Sequence, residues 1–207
     1  MNTKKGPAVN KYISIDIETS ALEPEEGQML EFGAVLDCDL NIPVGDLPSF
    51  RRLILPRNGV IRGTPFALAM NAEILREIDA ELKNPSPDRS CTAAELPSVF
   101  RDWLDVERPV IGGKNFATFD SKFLRAESNF FKTVAPHHRV LDPGNMYWRP
   151  AEDGFELPDT ATCMKRAGLD PTVKHRAVED ARVVCRLIRT HVYCSVTAGK
   201  LAKSLEG

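Results

Sequence analysis

Three places in this sequence carry residues whose types and spacing could do chemistry. In "KYISIDIETSALEP", Lys11 to Pro24, Asp16 and Glu18 stand two positions apart near the end of a β-forming run. In a strand these positions share a face, so the carboxylates lie side by side and repel unless a cation sits between them. Asp120 follows the apolar "VIGGKN" segment at the start of a helical stretch, and Asp180 lies five residues after His175 in the last helix. Each acid also has an ordinary explanation. Asp16 and Glu18 fit a hydrated strand end, Asp120 fits a first-turn acid favoured by the helix dipole, and the Glu179–Asp180 pair fits ion pairing with Arg176, Arg182 or Arg186. Gathered at one end of a sheet, four carboxylates would be untenable without cations, and such hard oxygen donors select Mg²⁺ or Mn²⁺ over zinc. Two such ions about 4 Å apart suit in-line displacement at phosphorus. His175, with an ordinary imidazole pKa of about 6.5, has the chemistry to take a proton from an attacking water.

The elements that must position these groups can be read in order. The opening strand is followed by a loop, a second strand at "MLEFGAVLDCD", a turn region, and a third strand "FRRLILP" that Pro56 ends. From Thr64, a helix N-cap with Pro65 at the first helical position, Phe66, Met70, Ile74 and Ile78 recur at helical spacing. Residues 83–90, "KNPSPDRS", read as a loop. A second helix begins at a Thr92–Glu95 capping box, with Pro97 tolerated early in it. A short strand "RPVIGGKN", a helix from "ATFD", a brief strand "HRVLDP" and two final helices follow. The last helix is amphipathic through Val178, Ala181, Val184, Cys185 and Ile188. This order predicts an α/β fold with a mixed five-stranded sheet, a three-stranded antiparallel meander plus two parallel strands, flanked by helices. Residues 1–10 read as an N-terminal extension, 11–192 as one domain, and 193–207 as a weakly helical tail.

Composition narrows the class. With 207 residues, 43% hydrophobic and a net charge of −2, the chain suits one soluble core rather than a strongly basic nucleic-acid-coating protein. Local basic groups and bound metal can still receive a polyanion. The five cysteines are spread out, odd in number and without a Cys-x-x-Cys pair, which argues against a disulfide framework or zinc ribbon. They read as small buried hydrophobes in a reducing compartment. Neither a signal peptide nor an apolar run of transmembrane length is legible, so a cytoplasmic location and no membrane partner are expected. His137–His138 lacks further ligands nearby, and Gly112–Gly113 lacks the Lys-Ser/Thr of a phosphate loop. Trp103, Phe130 and Phe131 read as core. Tyr147, Trp148 and Arg149 offer either packing or a stacking surface beside the site.

The three motifs together resemble the DEDDh branch of the ribonuclease-H-like exonucleases. "DIETSAL" (Asp16 to Leu22), "GKNFATFDSKFL" (Asn115, Phe119, Asp120) and "HRAVEDA" (His175, Asp180) match its signatures in order, and the likeness spans residues 11 to about 190. The resemblance implies a metal-dependent 3′→5′ exonuclease releasing 5′-mononucleotides from single-stranded DNA or RNA or from short oligonucleotides. It implies two Mg²⁺ or Mn²⁺ ions on Asp16, Glu18, Asp120 and Asp180, with His175 as general base. It also implies substrate contacts at Thr19, Leu22, Asn115 and Phe119. Asn115 precedes Asp120 by five residues, a spacing nearest to oligoribonucleases, although Ala21 replaces the family's glycine and Phe119 stands where those enzymes carry glutamine. Two other readings stay open: a ribonuclease-H-like endonuclease, and a decayed nuclease fold that only binds nucleic acid. A homodimer is equally open.

Overall fold

The computed structural model describes residues 11–172 and 175–205, with side chains as far as Cys194; the expected extension 1–10 lies outside the described residues. Strand β1 (Tyr12–Thr19) alternates as its sequence dictates. Ile13, Ile15 and Ile17 enter one core, and Tyr12 joins a second core on the opposite face, the face that Asp16 and Glu18 share. β2 (Met29–Asp37) and β3 (Ser49–Leu55) complete the antiparallel meander. Helices α1 (Pro65–Met70) and α2 (Ala72–Lys83) follow, then β4 (Ser90–Thr92), α3 (Leu96–Trp103) and β5 (Val110–Gly112). Next come α4 (Asp120–Glu127), α5 (Phe130–Thr133), β6 (Val140–Leu141), α6 (Pro143–Met146), α7 (Pro150–Asp153), α8 (Thr160–Arg166) and α9 (Ala177–Leu205).

The sheet is mixed, in the order β4-β3-β2-β1-β5-β6, with β5 and β6 joining β1 in parallel. It has six strands rather than the expected five. The additional strand, β4, pairs in parallel with β3 over Leu53–Leu55. Three residues are too few to display an alternation, so the segment reads as loop in sequence. The Thr92–Glu95 box does form, with the Thr92 N–H donating to the Glu95 carboxylate at 2.8 Å, but it closes the turn after β4 and α3 starts at Leu96.

The helix expected from Thr64 is broken at Asn71. Thr64 caps α1 as anticipated, while the buried Asn71 amide donates to the Ala67 and Thr19 carbonyls at 3.1 Å each. That side chain competes for helix backbone and ties the break to the end of β1. Ile74 and Ile78 are buried against Leu30 and Leu53, but Phe66 and Met70 of the same stripe face solvent. On the other face of the sheet, Phe32, Phe50, Phe100 and Phe130 make edge, tilted and stacked contacts, with Trp103 stacked on Phe100. Helix α9 covers the carboxylate face, burying Ala181, Val184, Cys185 and Ile188 on Tyr12, Val35 and Leu47. It continues through Leu205, across most of the stretch expected as a tail.

Candidate active site

The site is built where β1 ends. Opposite Glu18 the β1–β2 register slips: Glu18 pairs with Glu31 and Thr19 with Met29, leaving Leu30 between them as a bulge. Two residues further along β2, Gly33 lies opposite Asp16. A Cβ on Gly33 would stand 2.3 Å from the Ala177 carbonyl carbon and 2.4 Å from the Val178 nitrogen. The bare backbone therefore lets the first turn of α9 sit directly on the sheet, beside Asp16 and Glu18. Asp180, in that turn, reaches the same place.

The opposite wall comes from the β5–α4 connection. Gly113 passes so close to Ile15 and Phe116 that a Cβ would be 3.0 Å from the Ile15 carbonyl oxygen and 2.7 Å from the Phe116 Cβ. Asn115 takes a left-handed backbone (φ 59°), and its N–H donates to Asp142 Oδ2 at 3.0 Å. This turn delivers Asp120 to the start of α4, where its Oδ1 accepts the Ile17 N–H at 3.1 Å. One carboxylate oxygen thus anchors α4 to β1.

Asp16, Glu18, Asn115, Phe119, Asp120, His175 and Asp180 all line one cleft of about 270 Å³. One ligand atom each from Glu18, His175 and Asp180 lie within 4.8 Å of one another, the one such grouping among the described residues. Burial, and then the charges of Asp120, Glu18, Asp180 and Glu31, hold the Asp16 carboxyl well above the usual carboxylate range. Glu18 is pushed up to about 8 by burial and by Asp180, Glu31 and Asp120, against a smaller lowering by Arg176. Burial raises Asp120 to about 7, against the lowering effect of amide N–H groups including that of Ile17. Acids that resist ionising in the bare protein yet crowd one cleft form a donor set suited to hard divalent cations.

No protein-family model matches the chain, and no curated protein matches it in sequence. Solved structures do match in shape. Exonuclease I of E. coli in complex with a dT13 oligonucleotide superposes with a TM-score of 0.59 at 17% identity, over 91% of this chain and 43% of that one. A moderately thermophilic Exonuclease I from Methylocaldum szegediense gives 0.58 at 19%, over 86% and 40%. The zinc-ion-bound E. coli enzyme with single-stranded DNA gives 0.57 at 17%, over 87% and 41%. The chain shares its mixed α/β fold with part of each of these Exonuclease I structures. It spans about two-fifths of the length of those chains.

Two of the residues expected to touch substrate do not line the cleft. Thr19 is buried and its hydroxyl donates to the Ala21 carbonyl at 2.7 Å, shaping the turn. Leu22 is 71% exposed, so it does not anchor the loop on the core. Of the neighbouring acids, Glu179 pairs with Arg182 at 2.5 Å, while Asp180 faces the cleft. Tyr147, Trp148 and Arg149 line a different cleft with Arg166 and His191. There the Tyr147 hydroxyl donates to the Leu187 carbonyl and the Trp148 indole to that of Gly154, which is packing. Lys114 and Thr160 also line the acidic cleft and were missed. Lys114 stands beside Asn115 in "GKN" and donates to its Oδ1 at 2.6 Å; its place inside the second motif was the available signal.

Proposed function

We propose that residues 11–192 form a divalent-metal-dependent 3′→5′ exonuclease domain acting on single-stranded nucleic acid. The observation that carries this reading is the convergence of Asp16, Glu18, Asp120, His175 and Asp180 on one cleft, in a fold shared with Exonuclease I. The four carboxylates would hold two Mg²⁺ or Mn²⁺ ions. When bound, these supply charge stabilisation at the scissile phosphate and activate water for in-line attack. His175, at the mouth of the cleft, takes the proton from that water. The exposed Leu22 grips a terminal base through apolar contact that ignores base identity, and Thr19 sets the turn that presents it. Asn115 and Phe119 bound the nucleotide on the opposite wall. Short oligonucleotides are the substrates implied by the resemblance of the Asn115–Asp120 spacing to oligoribonucleases, and the dispersed cysteines suit a reducing compartment such as the cytoplasm.

The test is digestion of 5′-labelled and 3′-labelled single-stranded DNA, RNA and very short RNAs with Mg²⁺. A ladder retreating from the 3′ end supports the reading. Internal cuts would point instead to an endonuclease, and binding without cleavage to a decayed module.

A further inference from the structure

His175 holds a left-handed backbone (φ 50°) although it is not glycine. Such a conformation is unfavourable for a side chain with a Cβ and persists only where the surroundings enforce it. The enforcement lies in the next two residues. The Arg176 guanidinium reaches Glu77 Oε1 at 2.8 Å and Glu31 Oε1 at 3.3 Å, and the Ala177 N–H donates to Glu31 Oε2 at 2.9 Å. Glu31 therefore grips consecutive residues with its two oxygens, and its own side chain is wholly buried. Arg51 closes the ring, bonding both Glu31 and, at 2.7 Å, Glu77. Two carboxylates and two guanidiniums from β2, β3, α2 and the residue before α9 thus form the ring, with the exposed Glu73 a further 4.0 Å neighbour of Arg176. None of the four lines the acidic cleft.

We propose that Arg176, clamped by Glu31 and Glu77, is a positioning residue that fixes the His175 turn and seats the first turn of α9, so that the imidazole and Asp180 meet Glu18. The proposal rests on the exonuclease reading for the role of His175, but the geometry of the clamp does not. One terminal nitrogen of Arg176 contacts both Glu31 and Glu77 while the other lies 4.0 Å from Glu73, so a lysine ammonium keeps part of this set but not both arms. The clamp also explains a glutamate directly across the strands from Glu18. Without its arginines, Glu31 would be an uncompensated buried charge next to a crowded acidic cluster.

Arg176→Ala, Arg176→Lys and the milder Glu77→Gln would be compared with wild type by steady-state kinetics, Mn²⁺ calorimetry and the NMR spectrum of isotopically labelled histidine. The chain has four histidines, and the His175 signal is assigned by its loss in His175→Ala. Arg176→Ala is expected to lower kcat at least tenfold with KM within twofold. It should still bind Mn²⁺, and the His175 resonance should broaden or split. Lysine should restore part of kcat, and Glu77→Gln should move both readouts in the same direction by less while leaving the protein folded. An unmoved His175 resonance in Arg176→Ala or Glu77→Gln would overturn the proposal, whatever the activity. A wild-type protein that cleaves no nucleic acid would remove the exonuclease reading, while the spectra still decide the clamp.

Discussion

His175 can be a base or a ligand, because its ring nitrogen lies within 4.8 Å of atoms on Glu18 and Asp180. As general base it is worth about 10²–10⁴ in rate. His175→Ala should therefore lose that much turnover at saturating metal yet still bind Mn²⁺ by calorimetry; loss of Mn²⁺ binding with the rate retained would make it a ligand. The acids behave differently. Asp16→Ala or Asp180→Ala should abolish turnover while leaving the metal-free melting temperature unchanged or higher, because burial and then mutual repulsion raise Asp16 and Glu18, and removing a carboxylate relieves both costs. Retained turnover in Asp180→Ala would remove that residue from the site. Leu22, mostly exposed in the loop after β1, belongs to the same scale. Leu22→Ala should raise KM several-fold with the melting temperature unchanged, and a 3′-phosphate on the substrate should block digestion.

At the scale of elements, the site depends on how closely α9 approaches the sheet. The Ala177 and Val178 backbone occupies the space a Cβ on Gly33 would need. Backbone cannot rotate away as a flexible side chain can, so Gly33→Ala must push the helix start outward. Overpacking of this kind costs about 1–3 kcal/mol. The expected result is a lower denaturation midpoint together with weaker Mn²⁺ binding, since Asp180 and His175 would move away from Glu18. A variant with wild-type stability and metal affinity would show that α9 can reseat without cost.

At the scale of the molecule, the raised carboxyls link stability to pH and metal. Glu18 at about 8 and Asp120 at about 7 bind protons more tightly folded than unfolded, where carboxyls titrate near 4. The folded state holds more protons between those values, so metal-free stability falls as pH rises from about 4 toward 8. Thermal melts in chelator should show a decline over this window. Added Mg²⁺ or Mn²⁺ should raise the melting temperature more at pH 8 than at pH 6, because cations replace the protons there. A metal-induced rise that is the same at both pH values would detach the acids from metal binding.

Sequence by itself determined the parts of this protein that depend on local period and on residue type. The alternation in β1 placed Asp16 and Glu18 on one face, Thr64 announced the start of α1, and the apolar stripe of α9 named the side chains that it buries. The three motifs also named every acid that lines the cleft, because donor chemistry belongs to the residue. What tertiary structure decided was contact between segments far apart in the chain. β4 is too short to carry a pattern and exists only because β3 offers it a free edge. The Phe66–Ile78 stripe breaks because Asn71 finds the carbonyl of Thr19, 52 residues away. Glu31, Glu77 and Arg176 look like ordinary surface charges until folding brings them together, and Gly33 looks like any strand glycine until α9 lies on it. Periodicity is written in neighbouring residues; charge balance and close approach are properties of the space between elements, and only the folded chain encloses that space.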